Sequence, residues 1–455
     1  MAELIYDYYQ LKIFPIYQEI LIENNKMDKK KTNKGPYASV KGMRDIKDDL
    51  YYQFQGFFEK AQEISMYYGF RPLETPIVED KNVFMSIGEG TDIVDKEMYT
   101  LKTKGGDQLA LRPEHTAGTM RSYIELGMQS LPQPQMFYNY GPIFRHDNPQ
   151  KGRYRQFYQF DMDILGSDKS ILDALVIKTA MTILTEAGAK NLSVEINSIG
   201  DKDCRGAYIK ELTAFYRKNI NQLPTIDRER LKTNPLRILD SKEEKTILLN
   251  QNAPDTLSHL CPACKKHFKE VLEYLEEAEI PYSINKCLVR GLSYYTRTVF
   301  EIVEEDKETG RKIAITGGGR YDYLAKQLGS KKDVPAVGIS FGVDRIVEAP
   351  WFANLSPRII KKPKIYFIQL GFEAKLKSLN IIEILRKGKV PIAQSISKDN
   401  LGAQLATAER LGMPYAIIFG QKEALENSVI FRNMSNRSQE TVKIDKLLDY
   451  IKSLK

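Results

Sequence analysis

The stretch Tyr138–Gly166, YNYGPIFRHDNPQKGRYRQFYQFDMDILG, constrains the fold more than any other. Two runs of aromatic and β-branched residues flank DNPQKGRYR, a polar reversal with Pro and Gly, which is the pattern of a long antiparallel hairpin. Arg145 is expected near the end of the first strand, and Arg153 and Arg155 at the opening of the second. Alternate residues of a strand point to one face, so Arg153 and Arg155 would share a face, and guanidinium forks fixed there suit a polyphosphate. Further along the same strand, Gln159, Asp161 and Asp163 offer acceptors on one face. A sheet with cations at one end and carboxylates at the other can hold a phosphate beside a cationic or hydrogen-bonding substrate. The plainer alternative is an exposed hairpin with solvated charges; the aromatics crowded beside the arginines argue against it.

Length and charge bound what surrounds the hairpin. A chain of 455 residues carries an expectation of about three domains. Its 42% hydrophobic and 28% charged residues describe an ordinary soluble protein with ample core. No apolar run approaches the roughly 18 residues of a membrane span, and the opening MAELIYDYYQ is acidic rather than signal-like. No membrane association and a cytoplasmic location are therefore expected. Four cysteines, two of them in CPAC, do not make a disulfide framework in so long a chain. Most of the net charge of +8 falls in residues 363–455, which hold 15 lysines and arginines against 9 aspartates and glutamates. That excess suits contact with a polyanion, although solubility alone also accounts for it.

Ahead of the hairpin, residues 1–34 read as an appendage, in which a tyrosine-rich amphipathic piece leads into the lysine-rich NNKMDKKKTNKG. IKDDLYYQFQGFFEKAQEISMYYG repeats apolar residues at helical spacing and stops at Gly69. FRPLETPIVED reads as a strand bounded by prolines, and Pro76 restricts it to an edge or an interface, open to pairing with a twin across a two-fold axis. Next, GGDQ signals a turn, LALRPE a short strand and Thr116 the start of a helix. Glu114 and Thr116 at such a junction reach one ligand, and a carboxylate there suits an ammonium group. The alternative is that Thr116 serves only as a helix cap.

Beyond the hairpin, Cys204 to about Pro281 is helical and charged without strand signals, an inserted module of roughly 80 residues. HLCPACKKH within it crowds His259, Cys261, Cys264 and His267 into nine residues without a second knuckle. No metal is expected there, and the thiols read as an inert buried helix turn. Strand text resumes in SINKCLVRGLSYYTRTVFEIVEE, where Gly291 permits close backbone approach beside Arg290, Tyr294 and Tyr295. In IAITGGGRYDYLAKQLG, glycines 317–319 let the backbone approach a ligand and Arg320 follows; neither a P-loop nor a dinucleotide fingerprint is present. PAVGISFGVDRIVEA reads as a small-residue strand feeding a helix whose second turn aims Arg345 back at the sheet. Arginines from three separate places converging on one sheet would mark a site rather than solvated surface. After the linker WFANLSPRIIKKP, the pattern β-α-β-α-β-β-α describes a small α/β domain with its own core.

Together these motifs resemble those of the class II aminoacyl-tRNA synthetases, and among them the histidyl-tRNA synthetase family. FRPLETPIVED resembles motif 1, YGPIFRHDNPQKGRYRQFYQFDMDILG motif 2 and AVGISFGVDRI motif 3, while LVRGLSYYTRTVFE and GGGRYD are similar to the histidine-specific signatures. The match runs from about Gly42 to the end. The resemblance implies an α/β (α+β) fold with a class II synthetase-type, mainly antiparallel sheet, flanking helices, a helical insertion and a C-terminal α/β anticodon-binding domain. The implied divisions are an extension at 1–34, a catalytic domain at 35–203 and 284–350, an insertion at 204–283, a linker at 351–362 and an anticodon-binding domain at 363–455. It also implies a homodimer that joins L-histidine to ATP, with Mg2+ bound with the ATP, and passes the histidyl group to tRNA(His).

By position, the resemblance assigns ATP phosphates to Arg145 and Arg345 with Arg153 and Arg155 nearby, and adenine to Phe157. Arg290 would take the α-phosphate and carboxylate region and, with Arg145, act in catalysis. Glu114, Thr116 and Gln159 would bind the amino-acid end of histidine, Asp163 and Tyr295 its ring, with Tyr294 beside them, and Gln150 would touch the tRNA acceptor end. Four positions depart from the family pattern: His115 and Tyr323 stand for glycines, Asn148 for an arginine and Ser293 for an aspartate. Two other readings stay open, a synthetase-like regulatory subunit of histidine biosynthesis and a nucleic-acid-binding module with a degenerate site.

Overall fold

The computed structural model describes residues 37–88, 91, 93–150, 152–305, 312–358 and 361–454. The extension expected at 1–34 lies outside the described residues. The chain forms two compact units, Met1–Pro357 and Arg358–Lys455.

The first unit is built on eight strands: β1 (Arg71–Pro72), β2 (Gln135–Phe144), β3 (Gln156–Leu165), β4 (Leu192–Ser198), β5 (Tyr282–Ile284), β6 (Thr296–Glu305), β7 (Lys312–Arg320) and β8 (Ala336–Gly342). Their spatial order is β1-β2-β3-β8-β7-β6-β4-β5. Neighbours are antiparallel except at the two margins, where β1 runs parallel to β2 and β5 parallel to β4. Strand periodicity divides the sheet into two faces. Phe160, Met162 and Ile164 of β3 join Phe341, Ile339 and Val337 of β8 and Phe300 and Ile302 of β6 in one buried core. Helices Asp48–Tyr67 and Ile171–Glu186 cover that face with residues such as Phe57, Ala61, Ile177 and Ile183. The intervening residues Gln159, Asp161 and Asp163 point the other way.

The hairpin forms, but its arginines are not strand residues. β2 ends at Phe144 and β3 starts at Gln156, so Arg145, Arg153 and Arg155 all sit in the connection and the alternate-face rule does not govern them. Pro149 and the left-handed Gly152 (φ 71°) break the ladder, leaving one isolated bridge between Gln150 and Arg153. FRPLETPIVED occupies an edge: Arg71 and Pro72 pair only with Phe137 and Tyr138, and Val78–Asp80 turns away into a separate three-stranded sheet.

Between Ser198 and Tyr282 the chain is helical, as expected, yet it is not self-contained. Helix Pro262–Glu277 sends Phe268, Val271 and Leu275 into the main core. Helix Arg205–Lys218 packs Tyr208, Leu212 and Tyr216 into a second cluster shared with Tyr294, Tyr295 and Tyr321.

Arg320 has a different place from the one its glycine-rich neighbourhood suggests. Its side chain is fully buried, with Nε 2.9 Å from Asp173 Oδ2 and Nη1 3.0 Å from Asp322 Oδ1, and it donates to the carbonyl of Lys169. It is a buried bracket between β7 and the segment leading into helix Ile171–Glu186, not a ligand group.

The second unit orders its strands Ile392–Gln394, Ile365–Gln369, Tyr415–Phe419, Ser428–Asn433 and Gln439–Lys443. The expected pattern lacked two of its elements, the short helix Gln421–Glu426 and the strand Gln439–Lys443. That strand buries only Val442, so its sequence QETVK carries no apolar alternation to betray it.

Removing one partner of a buried ion pair leaves an uncompensated charge. Arg320→Met is therefore expected to cost about 3–5 kcal/mol in chemical denaturation of the whole chain; a loss within the scatter of surface substitutions would refute the bracket.

Candidate active site

The polar face of the sheet floors a cavity of about 390 Å³. Register aligns its floor in rows: Gln159 opposite Gly342; Asp161 opposite Ser340, then Gly317 and Glu301; Asp163 opposite Gly338, then Gly319. The glycines at 317 and 338 make room for the side chains above them. A Cβ on Gly317 would lie 2.5 Å from Arg290 Nη1, and one on Gly338 would lie 2.4 Å from Asp163 Oδ1.

Cations enter from three places far apart in sequence. Arg145 follows β2, where its Nε donates to the Pro113 carbonyl at 2.8 Å and its guanidinium lies 5.4 Å from the centre of the Phe157 ring. Arg290 comes from the loop before β6 and pairs with Glu301, its guanidinium 5.8 Å from the Tyr295 ring centre. Burial works against that charge, but Tyr295 and Glu301 more than offset it and hold the guanidinium above the usual arginine range. Arg345 belongs to the single-turn helix Val343–Val347, shorter than the expected two turns, and its Nε reaches the Gly152 carbonyl at 3.3 Å. That helix is braced from below: Arg44 holds Asp344 at 2.8 Å and also pairs with Glu348, while the N–H of Tyr158 donates to Asp344 at 2.6 Å. All three arginines line the one cavity.

The other end is carboxylate and tyrosine. Glu114 accepts from the backbone N–H groups of Thr116 (3.0 Å) and Ala117 (2.7 Å), so it is Glu114, not Thr116, that caps helix Thr116–Glu125. Tyr294 also donates to it at 3.3 Å. Burial raises the Glu114 carboxyl above its usual range against these donors. Asp163 is fully buried behind Gly338 and accepts from Tyr321 and, at 3.4 Å, from Thr116 Oγ1. Burial lifts its pKa to about 7. Asp161, paired with Ser340, is raised well above the carboxylate range for the same reason. Gln159 Oε1, Asp161 Oδ2, Asp163 Oδ2 and Arg290 Nε are buried without a hydrogen-bond partner. Each such group costs about 1–3 kcal/mol, a demand that a polar ligand would meet.

Of the residues singled out in sequence, Glu114, Thr116, Arg145, Arg153, Phe157, Gln159, Arg290, Tyr294, Tyr295 and Arg345 line the cavity. Arg153 does so while paired with Asp147. Three do not. Arg155 turns away, its Nε on the Asp147 carbonyl at 3.0 Å, because residues 41 and 42 fill the space beside it. Gln150 is exposed on the hairpin loop, and Asp163 reaches the cavity only through Tyr321 and Thr116. Tyr321 and Ser340 were missed as site residues. Tyr321 lies two residues beyond Gly319, and Ser340 alternates with Gly338 and Gly342, so strand period two would have found both.

Residues 42–346 match the family model described as histidyl-tRNA synthetase, and residues 364–454 match the one described as anticodon binding domain. The chain belongs to the histidyl-tRNA synthetase family. It is 40% identical over 419 residues to a histidine–tRNA ligase of Dehalococcoides mccartyi, covering 91% of this chain and 99% of the relative. A histidine–tRNA ligase of Thermodesulfovibrio yellowstonii is 38% identical, with 91% and 98% covered. The crystal structure of apo S. aureus histidyl-tRNA synthetase superimposes with a TM-score of 0.74 at 29% identity, covering 91% of this chain and all of that one. As a synthetase of this family, the chain has an α/β fold with a large, antiparallel-rich sheet and a C-terminal anticodon-binding domain. Two of the positions expected to depart from the family pattern lie outside the cavity lining: Ser293 is tied to the Ile87 carbonyl, and Tyr323 packs under Lys202 at 5.2 Å.

A carboxyl with a folded pKa of about 7, against about 3.9 when unfolded, opposes folding as pH rises between those values and at a constant level above. Asp163→Asn keeps an acceptor for Tyr321 and removes that penalty. The variant is expected to gain melting temperature over the parent progressively from pH 4 to 7, then level off; a pH-independent difference would refute the buried protonated carboxyl.

Proposed function

We propose that the chain ligates L-histidine to tRNA(His) in two steps, through a histidyl-adenylate that releases pyrophosphate and then a transfer that releases AMP. The observation that carries this reading is the convergence of Arg145, Arg290 and Arg345 on one cavity whose far end is Glu114, Gln159 and two tyrosines. Attack of a carboxylate on an α-phosphate builds negative charge and needs in-line placement, so fixed cations supply most of the catalysis. Arg290, lying over Gly317, suits the α-phosphate and the attacking carboxylate; Arg145 and Arg345, with Arg153 at the rim, suit the remaining phosphates. Phe157, beside Arg145, suits the adenine. Mg2+, coordinated largely by phosphate oxygens and water, enters with the nucleotide.

Glu114, Thr116 and Gln159 suit the ammonium and carboxylate of histidine. A neutral imidazole has one donor and one acceptor: the hydroxyls of Tyr321 and Thr116, which give their hydrogens to Asp163, offer acceptors for the ring N–H, and the Tyr295 hydroxyl suits the other nitrogen, with Tyr294 beside it. An apolar side chain in their place would leave these groups unpaired. Gln150, exposed on the hairpin loop, suits contact with the acceptor end of tRNA. A homodimer is supported by the edge position of β1 and by the exposed Ile77 and Val78 after it. No helix among the described residues is long and apolar enough to cross a membrane, and a cytoplasmic site of action fits the reaction.

Histidine-dependent exchange of pyrophosphate into ATP, followed by charging of tRNA, tests the reading and separates it from a binding-only regulatory subunit. Arg145→Ala and Arg345→Ala are expected to lower exchange by at least about 10²-fold. Removal of the residues after Pro363 is expected to spare exchange and impair charging. Parental exchange by either arginine variant would remove its role, and no exchange by the intact chain would overturn the proposal.

A further inference from the structure

Three cysteines and an aspartate that the proposed reaction does not use meet at the foot of the helical segment. Asp201 and Cys204 lie on the turn leaving β4, directly ahead of helix Arg205–Lys218, and Cys261 and Cys264 open helix Pro262–Glu277. Their ligand atoms all lie within 4.8 Å of one another, with Asp201, Cys204 and Cys264 buried. We propose that these four residues form a structural zinc site, in which an Asp-x-x-Cys turn and a Cys-x-x-Cys helix start supply two ligands each.

The spacings are those of a coordination tetrahedron. Zn–S bonds of about 2.3 Å and Zn–O bonds of about 2.0 Å put sulfurs about 3.8 Å apart and an oxygen about 3.5 Å from a sulfur. Cys204 Sγ lies 3.9 Å from Cys264 Sγ and 3.5 Å from Asp201 Oδ1. The first distance is far beyond the roughly 2.05 Å of a disulfide. Backbone donors already point at the sulfurs, from the Asp201 N–H to Cys204 at 3.4 Å and from the Cys264 N–H to Cys261 at 3.5 Å. Gly200, left-handed at φ 67°, lets the turn close: a Cβ there would lie 2.6 Å from Cys204 Sγ.

Charge agrees with the geometry. Three thiolates and a carboxylate around Zn2+ leave two negative charges. The two helix N-termini oppose them, and so does Arg297, with Nη2 3.5 Å from Asp201 Oδ2. Three soft sulfur ligands and a full set of four select zinc in a structural role over a hard cation or an open catalytic metal.

The crowded set His259, Cys261, Cys264 and His267 does not form. His259 turns to Glu211 and Asp255, and His267 to Asp173. The missing half of the site comes instead from a position 60 residues upstream of Cys264. A metal here would pin the start of the helical segment to its last helix.

Elemental analysis of the full-length chain, purified without chelator, is expected to find one zinc per chain. Cobalt(II) added to the reduced, metal-stripped chain is expected to give the intense visible bands of tetrahedral thiolate coordination. Cys261→Ser should weaken zinc by more than about 10²-fold, beyond the 10–100-fold that changes outside the ligand set cost. Cys287→Ser, outside the cluster, should bind as the parent does. Should a ligand variant fail to fold, the cobalt spectrum of the parent decides alone. Absence of zinc together with absence of thiolate–cobalt bands in the parent would overturn the proposal, as would a Cys204–Cys264 disulfide in chain isolated without reductant.

Discussion

The guanidinium of Arg290 lying on a strip of backbone without side chains is the contact on which the rest of the site depends. Gly317, Gly318 and Gly319 of β7 run between β6 and β8 so tightly that a Cβ at Gly318 would lie 2.0 Å from the Gly338 carbonyl and one at Gly319 2.6 Å from the Thr298 carbonyl. Such contacts are with backbone and have no side chain to move aside. The strip therefore holds the floor flat, leaves depth for a ligand above it, and lets Arg290 lie across Gly317 with Glu301 as its counter-ion. A guanidinium supported in this way loses little further freedom when it meets a phosphate, which is the condition for electrostatic preorganisation.

Most of this arrangement was legible because strand period two is written plainly in β3. Phe160, Met162 and Ile164 alternate with Gln159, Asp161 and Asp163, so both the core and the polar face beneath the cavity can be read from one segment. The three arginine locations were legible as motifs. Their detailed roles were less so, since a loop residue's direction depends on what fills the space around it. Arg155 is two residues from Arg153 and faces elsewhere because residues 41 and 42, over 100 positions away, occupy its flank. Arg320 follows three glycines and reads like a ligand group. Only the tertiary placement of Asp173, facing Asp322 across the guanidinium, makes it a buried bracket. The cysteine cluster was illegible for the same reason, its two halves being adjacent only in the fold.

Buried carboxyls give the cavity its second character. Asp161, Asp163 and Glu114 all have raised pKa values, and in each case burial is the largest cause. Asp161 and Asp163 also repel each other's ionisation, as expected of two carboxylates sharing a site. With its pKa lifted to about 7, Asp163 offers either a donor or an acceptor around neutral pH. That suits a ring with one donor and one acceptor.

The position of the tyrosines is set from outside the cavity. Arg205, at the start of its helix, donates to the carbonyls of Ile199, Gly200 and Tyr295 at 3.2, 3.0 and 2.6 Å, tying the end of β4 to the loop that carries Tyr294. Next to it, Arg297 takes the left-handed conformation (φ 48°) that bulky residues rarely adopt. Its guanidinium spans Asp201 and Asp322, and the ladder between β6 and β7 shifts register beside it. Asp322 also holds Arg320, so a single chain of charges runs from the helical segment through the loop of Tyr294 and Tyr295 to the buried bracket under the sheet. The helical segment is in this sense part of the pocket wall: Arg205 at the base of its first helix holds the Tyr295 carbonyl directly, and Tyr208 and Tyr216 further along pack into the cluster that contains Tyr294 and Tyr295.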